Sequence, residues 1–248
     1  MNARLVHATA ALAALLAGGC ILDLADLSGG GGTTGGSTGT GGSARTGGAG
    51  TGGGQVTAAQ LQALAANCTR YPGSTNFAPY PNAPDTIPVC SLKGAVWWTA
   101  GMSIACDGGS GAPCKSAPGY SPGTAGTDSL GNPLDASTLP FVVVPQASNG
   151  FDFMAAGLTY GSVVAVLYED RLVYAILGDE GARGILGEGS YALALALGID
   201  PNPATGGVAT GVTYLAFTGA GADVLENEDA AEARQLGAQL AATLVASN

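Results

Sequence analysis

Two carboxylates stand in a glycine-rich run near the middle of the chain, "LGDEGARGILGEGSYALA" at residues 177–194. Asp179 and Glu188 are both flanked by glycines, which permit positive φ angles and allow another molecule to approach the backbone closely. Two carboxyl groups can act as general acid and general base when their surroundings hold them in different protonation states. Glycoside hydrolysis uses such a pair, one on each side of the bond that breaks. We therefore interpret Asp179 and Glu188 as a candidate catalytic pair.

A purely structural interpretation of the same two residues stays open. Asp179 could be a turn former, and Glu188 could be an acid that stabilises the start of a following helix. The spacing excludes one shared helix face, but a glycine-rich excursion can bring a strand end and a helix start together.

The composition limits the chemistry that an enzyme of this sequence could use. The one histidine, His7, lies in the predicted signal peptide described below. Mechanisms that need Ser-His-Asp or Cys-His groups, and metal sites built on histidine, are therefore excluded from the rest of the chain. Asp and Glu remain as the main acid–base side chains, and no motif predicts a metal or another cofactor.

The charge balance favours a cationic partner. The chain has 18 Asp and Glu against 8 Lys and Arg, which gives a formal net charge of −10. This balance argues against nucleic acid or an anionic surface as a partner. An acidic excess that serves only solubility is the alternative.

The first 54 residues carry export signals rather than a core. Residues 1–19 have a basic start and a short apolar stretch typical of a signal peptide, too short to span a bilayer. Cys20 follows "LAGG", which resembles a bacterial lipoprotein box, so we expect lipidation there, with ordinary secretion as the alternative. From its content of Gly, Ser and Thr, we expect the segment 20–54 to be a lipidated cysteine followed by a flexible tether. Residues 55–248 are long enough for one domain.

Four cysteines remain after Cys20, and they can form two disulfides in an exported protein. One possible pairing joins Cys106 to Cys114 across a short loop and Cys68 to Cys90, although spacing does not fix it. The alternative is a zinc site, which the absence of any CxxC spacing disfavours.

The apolar patterns predict a mainly β domain with flanking helices. A hairpin is expected over residues 157–181 with its turn at Glu169 and Asp170, and because both faces of its strands are apolar it should be central. We expect further strands at residues 94–106, 139–146 and 211–219, helices at residues 57–68, 190–198 and 227–246, and irregular loops at residues 70–88 and 107–130.

The neighbouring Trp97 and Trp98 offer a further candidate contact with substrate, because an indole face can pack on a pyranose ring. Adjacent strand residues face opposite ways, so no more than one of them can serve. Trp98 is the candidate, and the alternative is that both belong to the core.

The central string "GLTYGSVVAVLYEDRLVYAILGDEGARGILGEGSYALALALGIDPNP", followed by "GGVATGVTYLAFTG", resembles the glycoside hydrolase family 75 chitosanases. In that family a "YA-x-x-GD-x-GP" strand end precedes an "IGE-[AG]-S" helix start. Upstream, "MSIACDGG" and "LDASTLPFVVVP" are similar to the family's "IDCDG" and "LDA-x-x-[LV]PYVVxP". The resemblance covers most of residues 55–248, with its motifs in the family's order.

The resemblance implies an endo-acting, inverting hydrolase of β-1,4-linked glucosamine polymer and a compact β-barrel of the six-stranded double-psi type. The family's essential acids fall on Asp179 and Glu188, which we assign as general base and general acid with the roles open. Asp107, in the "CDG" motif, is the candidate for binding a substrate ammonium. We expect chitosan as partner, no cofactor, and a monomer that meets a membrane only through lipid on Cys20.

The chain departs from the family pattern at three positions. Ala105 stands where an Asp is frequent, Glu180 replaces a Thr, and Ala182 replaces the Pro. Glu180 is thus an additional acid, which could perturb the pKa of Asp179 or bind another cationic ring. Two rival functions remain open, a hydrolase of peptidoglycan and a surface lipoprotein that binds sugar without cleaving it.

The signals for export also predict where the protein acts. Ile21 follows Cys20 where an Asp would retain a lipoprotein in an inner membrane. We therefore expect display at the cell surface or outer membrane, or secretion if Cys20 carries no lipid.

Overall fold

The computed structural model describes residues 55–148 and 150–248. The predicted signal peptide, Cys20 and the tether lie outside the described residues. In the described part, ten strands and four helices are present: β1 Thr69–Arg70, β2 Asn76–Phe77, β3 Ile87–Pro88, β4 Cys90–Leu92, β5 Ala95–Ala105, β6 Phe141–Pro145, β7 Val163–Tyr168, β8 Arg171–Gly181, β9 Glu188–Ser190, β10 Val208–Phe217, α1 Ala58–Leu64, α2 Ala112–Lys115, α3 Tyr191–Leu197 and α4 Ala230–Ser247. None of these helices has the length and apolarity needed to cross a membrane.

Six of the strands close into a barrel. Their hydrogen-bonded order is β5-β10-β7-β8-β6-β9, and β9 pairs in turn with β5. The pairings β5–β9 and β6–β8 are parallel and the others are antiparallel, so the barrel is mixed. This confirms the mainly β prediction and the six-stranded barrel, while the double-psi connection stays a prediction.

Alternation along the strands divides the apolar side chains into an inner and an outer cluster. One cluster contains Val96, Trp98, Val142, Val164 and Tyr214 and draws on strands all round the barrel. The other joins the opposite strand faces to α1 and α4. Because a helix of 18 residues cannot fit inside six strands, the α4 side is the outer face and the first cluster fills the barrel.

The predicted hairpin is confirmed as the pair β7–β8. Glu169 has a φ of 54° in the two-residue turn, and Tyr168 pairs with Arg171 across it. Both strands are buried on both faces, since one face lines the barrel and the other lies under α4.

The three predicted helices are confirmed, with caps that explain their ends. Thr57 forms a capping box with Gln60 at the start of α1. Ser190 accepts a hydrogen bond from the backbone of Leu193 at the start of α3, and Gly198 ends that helix with a left-handed φ of 69°.

The expected loops hold some regular structure. The segment 70–88 contains the two-stranded sheet β2–β3, and the segment 107–130 contains the one-turn helix α2. The short strands β1, β4 and β9 were not expected either. Sequence patterns missed β9 because three residues within a glycine-rich run show no periodicity.

Two disulfides are present, Cys68–Cys90 and Cys106–Cys114. The first joins Cys68, the residue before β1, to Cys90 in β4. The second closes the loop that follows β5. These bonds confirm the preferred pairing and leave none of the four thiols for zinc.

Candidate active site

Asp179 and Glu188 lie on the outer face of the barrel, on either side of β6. Val143 of β6 pairs in parallel with Asp179 of β8 and antiparallel with Glu188 of β9. Paired residues point to the same side of a sheet, so both carboxylates share the face of Val143. Two strand spacings separate their Cα atoms by about 10 Å.

A β-bulge turns Asp179 to that face. The register of β8 against β6 slips by one residue after the pair Val142–Leu177, which leaves Gly178 as the extra residue. Leu177 points into the barrel, and strict alternation would send Asp179 there as well. The bulge therefore moves the carboxylate from the apolar interior to the outer face.

One oxygen of Asp179 is fixed by backbone donors. Its Oδ1 accepts hydrogen bonds from the N–H groups of Ala125, at 2.7 Å, and Glu180, at 2.8 Å. Asp179 is 4% exposed, and burial raises its pKa although the two hydrogen bonds lower it. The negative charges of Asp107 and Glu180 raise it further.

Glu188 is a partly buried acid at the start of β9. Burial raises the pKa of its carboxyl to about 7, and the charges of Asp107 and Asp179 add to the rise. The helix start that follows belongs to Ser190, whose hydroxyl caps α3. Burial and like charges therefore outweigh any lowering of the Glu188 pKa by the helix.

The side chain of Glu188 reaches across β6 towards β8. A methyl group at Gly181 would lie 2.9 Å from Glu188 Oε2 and 3.1 Å from Val143 Cγ1. The carboxyl group thus occupies the space that a side chain at Gly181 would need. Gly181 is a site residue that sequence reasoning missed, although it belongs to the glycine-rich run that drew attention to the two acids.

The loop of residues 121–126 holds two of the acids. Ser121 donates its N–H to Asp107 Oδ1 at 2.8 Å, and Ala125 donates to Asp179. The loop is fixed in turn where Gly126 donates to the carbonyl of Gly178, at the bulge. The sequence predicts only an irregular segment here. The loop holds the two acids through backbone N–H groups, and no pattern of side chains indicates these donors.

Asp107 lies close enough to the pair to act on both acids. Its charge raises the pKa values of Asp179 and Glu188, and burial raises its own pKa against the hydrogen bond from Ser121. No basic group of the described residues contributes to these shifts. The site therefore carries an unbalanced negative charge.

Glu180 is held by a tyrosine. Tyr160 donates its hydroxyl to Glu180 Oε1 at 2.6 Å, and burial, this hydrogen bond and the charge of Glu180 raise the tyrosine pKa. Glu180 is partly exposed beside Asp179. Tyr160 was not singled out from the sequence, where nothing marks it beyond a glycine on its C-terminal side.

The structure corrects the expectation for Trp98. Its side chain is fully buried in the barrel, where it stacks on Tyr214 with ring centroids 5.3 Å apart. Trp97 is 5% exposed on the outer face, within the cluster that contains α1 and α4. Neither indole is available to a sugar ring, so the alternative that both are core residues holds.

Metal binding has no support in the described residues. No group of three or more His, Cys, Asp or Glu side chains in residues 55–148 and 150–248 is arranged to hold a metal ion.

One comparison with known proteins bears on this site. The family model described as "fungal chitosanase of glycosyl hydrolase group 75" matches residues 102–245, a range that contains Asp107, Asp179 and Glu188. No curated protein matches the chain.

Proposed function

Because this chain belongs to glycosyl hydrolase group 75, the fungal chitosanase family, it is a glycoside hydrolase that acts on chitosan, and we propose that Glu188 and Asp179 are its catalytic pair. We further propose that it cleaves within the polymer and inverts the anomeric carbon. The observation that carries the proposal is the position of the two acids on one barrel face, on either side of Val143.

Glu188 acts as the general acid in this proposal. A group with a pKa of about 7 keeps its proton in the mildly acidic water in which chitosan is a cation. Glu188 donates that proton to the glycosidic oxygen as the bond to the anomeric carbon breaks. The leaving sugar then departs as a neutral alcohol.

Asp179 acts as the general base. Burial raises the pKa of Asp179, but the two N–H groups on Oδ1 counter that rise and favour its ionised form. Among the described residues Oδ2 has no hydrogen-bond donor, which leaves it for a water molecule. Asp179 takes a proton from that water as the oxygen attacks the anomeric carbon from the face opposite the leaving group. Exchange with solvent then returns the proton from Asp179 and reprotonates Glu188.

The distance between the acids supports inversion. Inverting hydrolases hold their carboxyl groups roughly 6.5–9.5 Å apart to leave room for the water, whereas retaining enzymes hold them about 5 Å apart. Glu188 Oε2 lies beside Gly181, two residues along β8 from Asp179, and this span of about 7 Å along the strand suits the wider separation.

Asp107 and Glu180 bind the substrate's ammonium groups in this proposal. Both lie beside the pair, and no basic side chain neutralises the site in the described residues. An ammonium group close to Asp107 would also lower the pKa of Glu188 on binding, because it offsets the negative charge that raises it.

The experiment is product release from soluble, highly deacetylated chitosan by the purified protein, with Asp179→Asn and Glu188→Gln beside it. We expect a rapid fall in polymer viscosity with the parent, and a loss of at least about a hundredfold in kcat with either variant. The parent's kcat/KM on soluble glucosamine oligomers should fall as the pH rises through about 7, where Glu188 of the free enzyme loses its proton.

The controls separate the rival functions. Glu226→Gln removes an exposed acid outside the site and should leave the rate unchanged. A folded parent that leaves chitosan intact but degrades peptidoglycan would contradict the proposal, as would binding of chitosan with no products. Proton NMR of the first products reports the anomer, and retention would contradict the inverting assignment.

A further inference from the structure

A groove begins beside Glu188 on the outer face of β5. It consists of two pockets of about 270 Å³ each, which share Pro79, Gly101 and Ala209 in their linings. The pocket nearer the acids is lined by Ser103 and Gly187; Ser103 is the residue of β5 that pairs with Glu188. We call the two pockets together the β5 groove.

A bulge in β10 forms one wall of the β5 groove. Val208 pairs with Met102 and Val212 with Ala100, so three residues of β10 stand opposite Gly101 alone. These three residues, 209–211, line the groove. The segment that carries Pro79 and Tyr80 forms the facing wall, on the side of β5 where neither β4 nor β9 pairs with residues 98–102.

The lining of the β5 groove is neutral. None of the described residues that line either pocket carries a charge. Asp179 and Glu180 lie on β8, across β6 from Glu188, and Asp107 lies beyond the end of β5. Tyr80 is 63% exposed, one of few large hydrophobic side chains so open to solvent in the described part. Its ring offers a flat apolar surface. The Ser103 hydroxyl donates to the carbonyl of Gly187 at 3.2 Å, so its oxygen can accept a hydrogen bond from a ligand.

These features fit a hexosamine ring better than a cation. A pyranose ring has C–H groups on its faces that pack on an aromatic ring, and hydroxyl groups at its edge that hydrogen-bond to backbone and hydroxyl groups. Ligand sites in general combine apolar walls with a few polar groups. A neutral groove that opens beside the proposed general acid is placed for the sugars on one side of the cleaved bond.

We propose that the β5 groove binds sugar units of the same chitosan chain on the Glu188 side of the scissile bond, with Tyr80 as the stacking platform. The inference rests on the proposed function. The two sides of the scissile bond are then bound by different chemistry. The acids bind ammonium groups on one side, and Tyr80 packs against a sugar ring on the other.

The test is the chain-length dependence of kcat/KM on fully deacetylated glucosamine oligomers, for the parent, Tyr80→Ala and Tyr80→Phe. Loss of one aromatic contact should lower kcat/KM roughly three- to tenfold on oligomers long enough to fill the groove. The loss should shrink on the shortest oligomers that are cleaved. Tyr80→Phe keeps the ring and should retain most of the parent's rate.

Measuring kcat/KM at several salt concentrations adds a readout that a general structural effect of the substitution would not change. Tyr80 is neutral, so the fold-loss in Tyr80→Ala should be the same at low and high ionic strength, whereas the fold-loss in Asp107→Asn should shrink as salt screens the ammonium. Leu225→Ala, which truncates another exposed side chain, should leave kcat/KM and its length dependence unchanged.

The outcomes separate this inference from the proposed function. An active parent whose Tyr80→Ala variant shows the same kcat/KM on long oligomers overturns the groove and leaves the catalytic pair intact. An equal loss on all lengths also overturns it, because a subsite remote from the bond would then not be involved. A parent that releases no product from chitosan overturns the proposed function itself.

Discussion

Asp179 and Glu188 are both shielded from water, yet different neighbours surround their oxygens. Asp179 has two backbone donors on one oxygen, while none of the described residues donates to the carboxyl of Glu188. Hydrogen bonds favour the charged form of an acid, and burial without them favours the neutral form. This difference supports the assignment of base and acid more directly than their positions in the sequence do.

Replacement of Gly181 by Ala should affect catalysis more than folding. The new methyl group would meet Glu188 Oε2, the end of a flexible side chain that can move away. We expect kcat to fall by about tenfold or more as the proton donor shifts, with KM changed less, since a displacement of about 1 Å is enough to cost such factors. Steady-state kinetics with thermal unfolding as a second readout tests this.

Glu226→Gln is the control, because it changes an exposed acid outside the site. It should leave kcat unchanged. A Gly181→Ala protein with normal kcat, or one whose lost activity follows its lost stability, would contradict the positioning role.

Removal of the ionisable group at Glu188 should stabilise the protein above neutral pH. The folded-state pKa is raised from 4.5 to about 7, so the folded state holds a proton that the unfolded state has released between these values. The free energy of unfolding therefore falls as the pH rises through this window. Glu188→Gln should lack that loss and exceed the parent by on the order of 2 kcal/mol at pH 7.5.

Urea unfolding of Glu188→Gln and the parent at pH 4, 5.5 and 7.5 tests whether the stability difference grows with pH as expected. The variant and the parent should converge at the lowest pH, where both side chains are neutral. The exposed Glu226→Gln serves as control, and a constant difference between Glu188→Gln and the parent at all three pH values would contradict the titration.

At the scale of elements, β8 combines a predictable strand with an unpredictable bulge. The run of apolar β-branched residues on each side of Glu169 and Asp170 was enough to predict the hairpin. The bulge at Gly178 depends on pairing with Val142 and Val143 of β6, which are distant in the chain, so no local pattern shows it. For the same reason β9 was missed, since its three residues become a strand only between β5 and β6.

Gly178→Ala should destabilise the fold at the bulge. A methyl group there would lie 2.6 Å from Cβ of Phe141, which is fully buried and cannot swing away as the end of a side chain would. We expect a loss of about 1–3 kcal/mol. Thermal unfolding should show a Tm lower by roughly 2–12 °C.

The contrast with Gly181→Ala is the informative comparison, since the two glycines are three residues apart on one strand. If Gly178→Ala unfolds at the parent's temperature, the packing of the bulge against Phe141 is looser than described.

At the scale of the whole molecule, the sequence was informative where a local signal exists. Helices that begin at about Thr57 and Ser190, the hairpin and the two disulfides were expected and are present. The closure of the barrel and the inward orientation of Trp98 depend on which strand lies beside which. The six-stranded barrel was therefore expected only through the resemblance, and Trp98 was assigned to the wrong surroundings.

The closed order of the six strands also affects whether copies of this protein aggregate when many of them bind one polymer. A strand with an unpaired edge invites pairing with another chain, and each barrel strand has a partner on both sides for at least part of its length. In the described residues the large sheet ends outside the barrel at β1, which has two residues and follows a cysteine bonded to β4. Crowding on a substrate surface thus offers neighbouring molecules little backbone on which to aggregate.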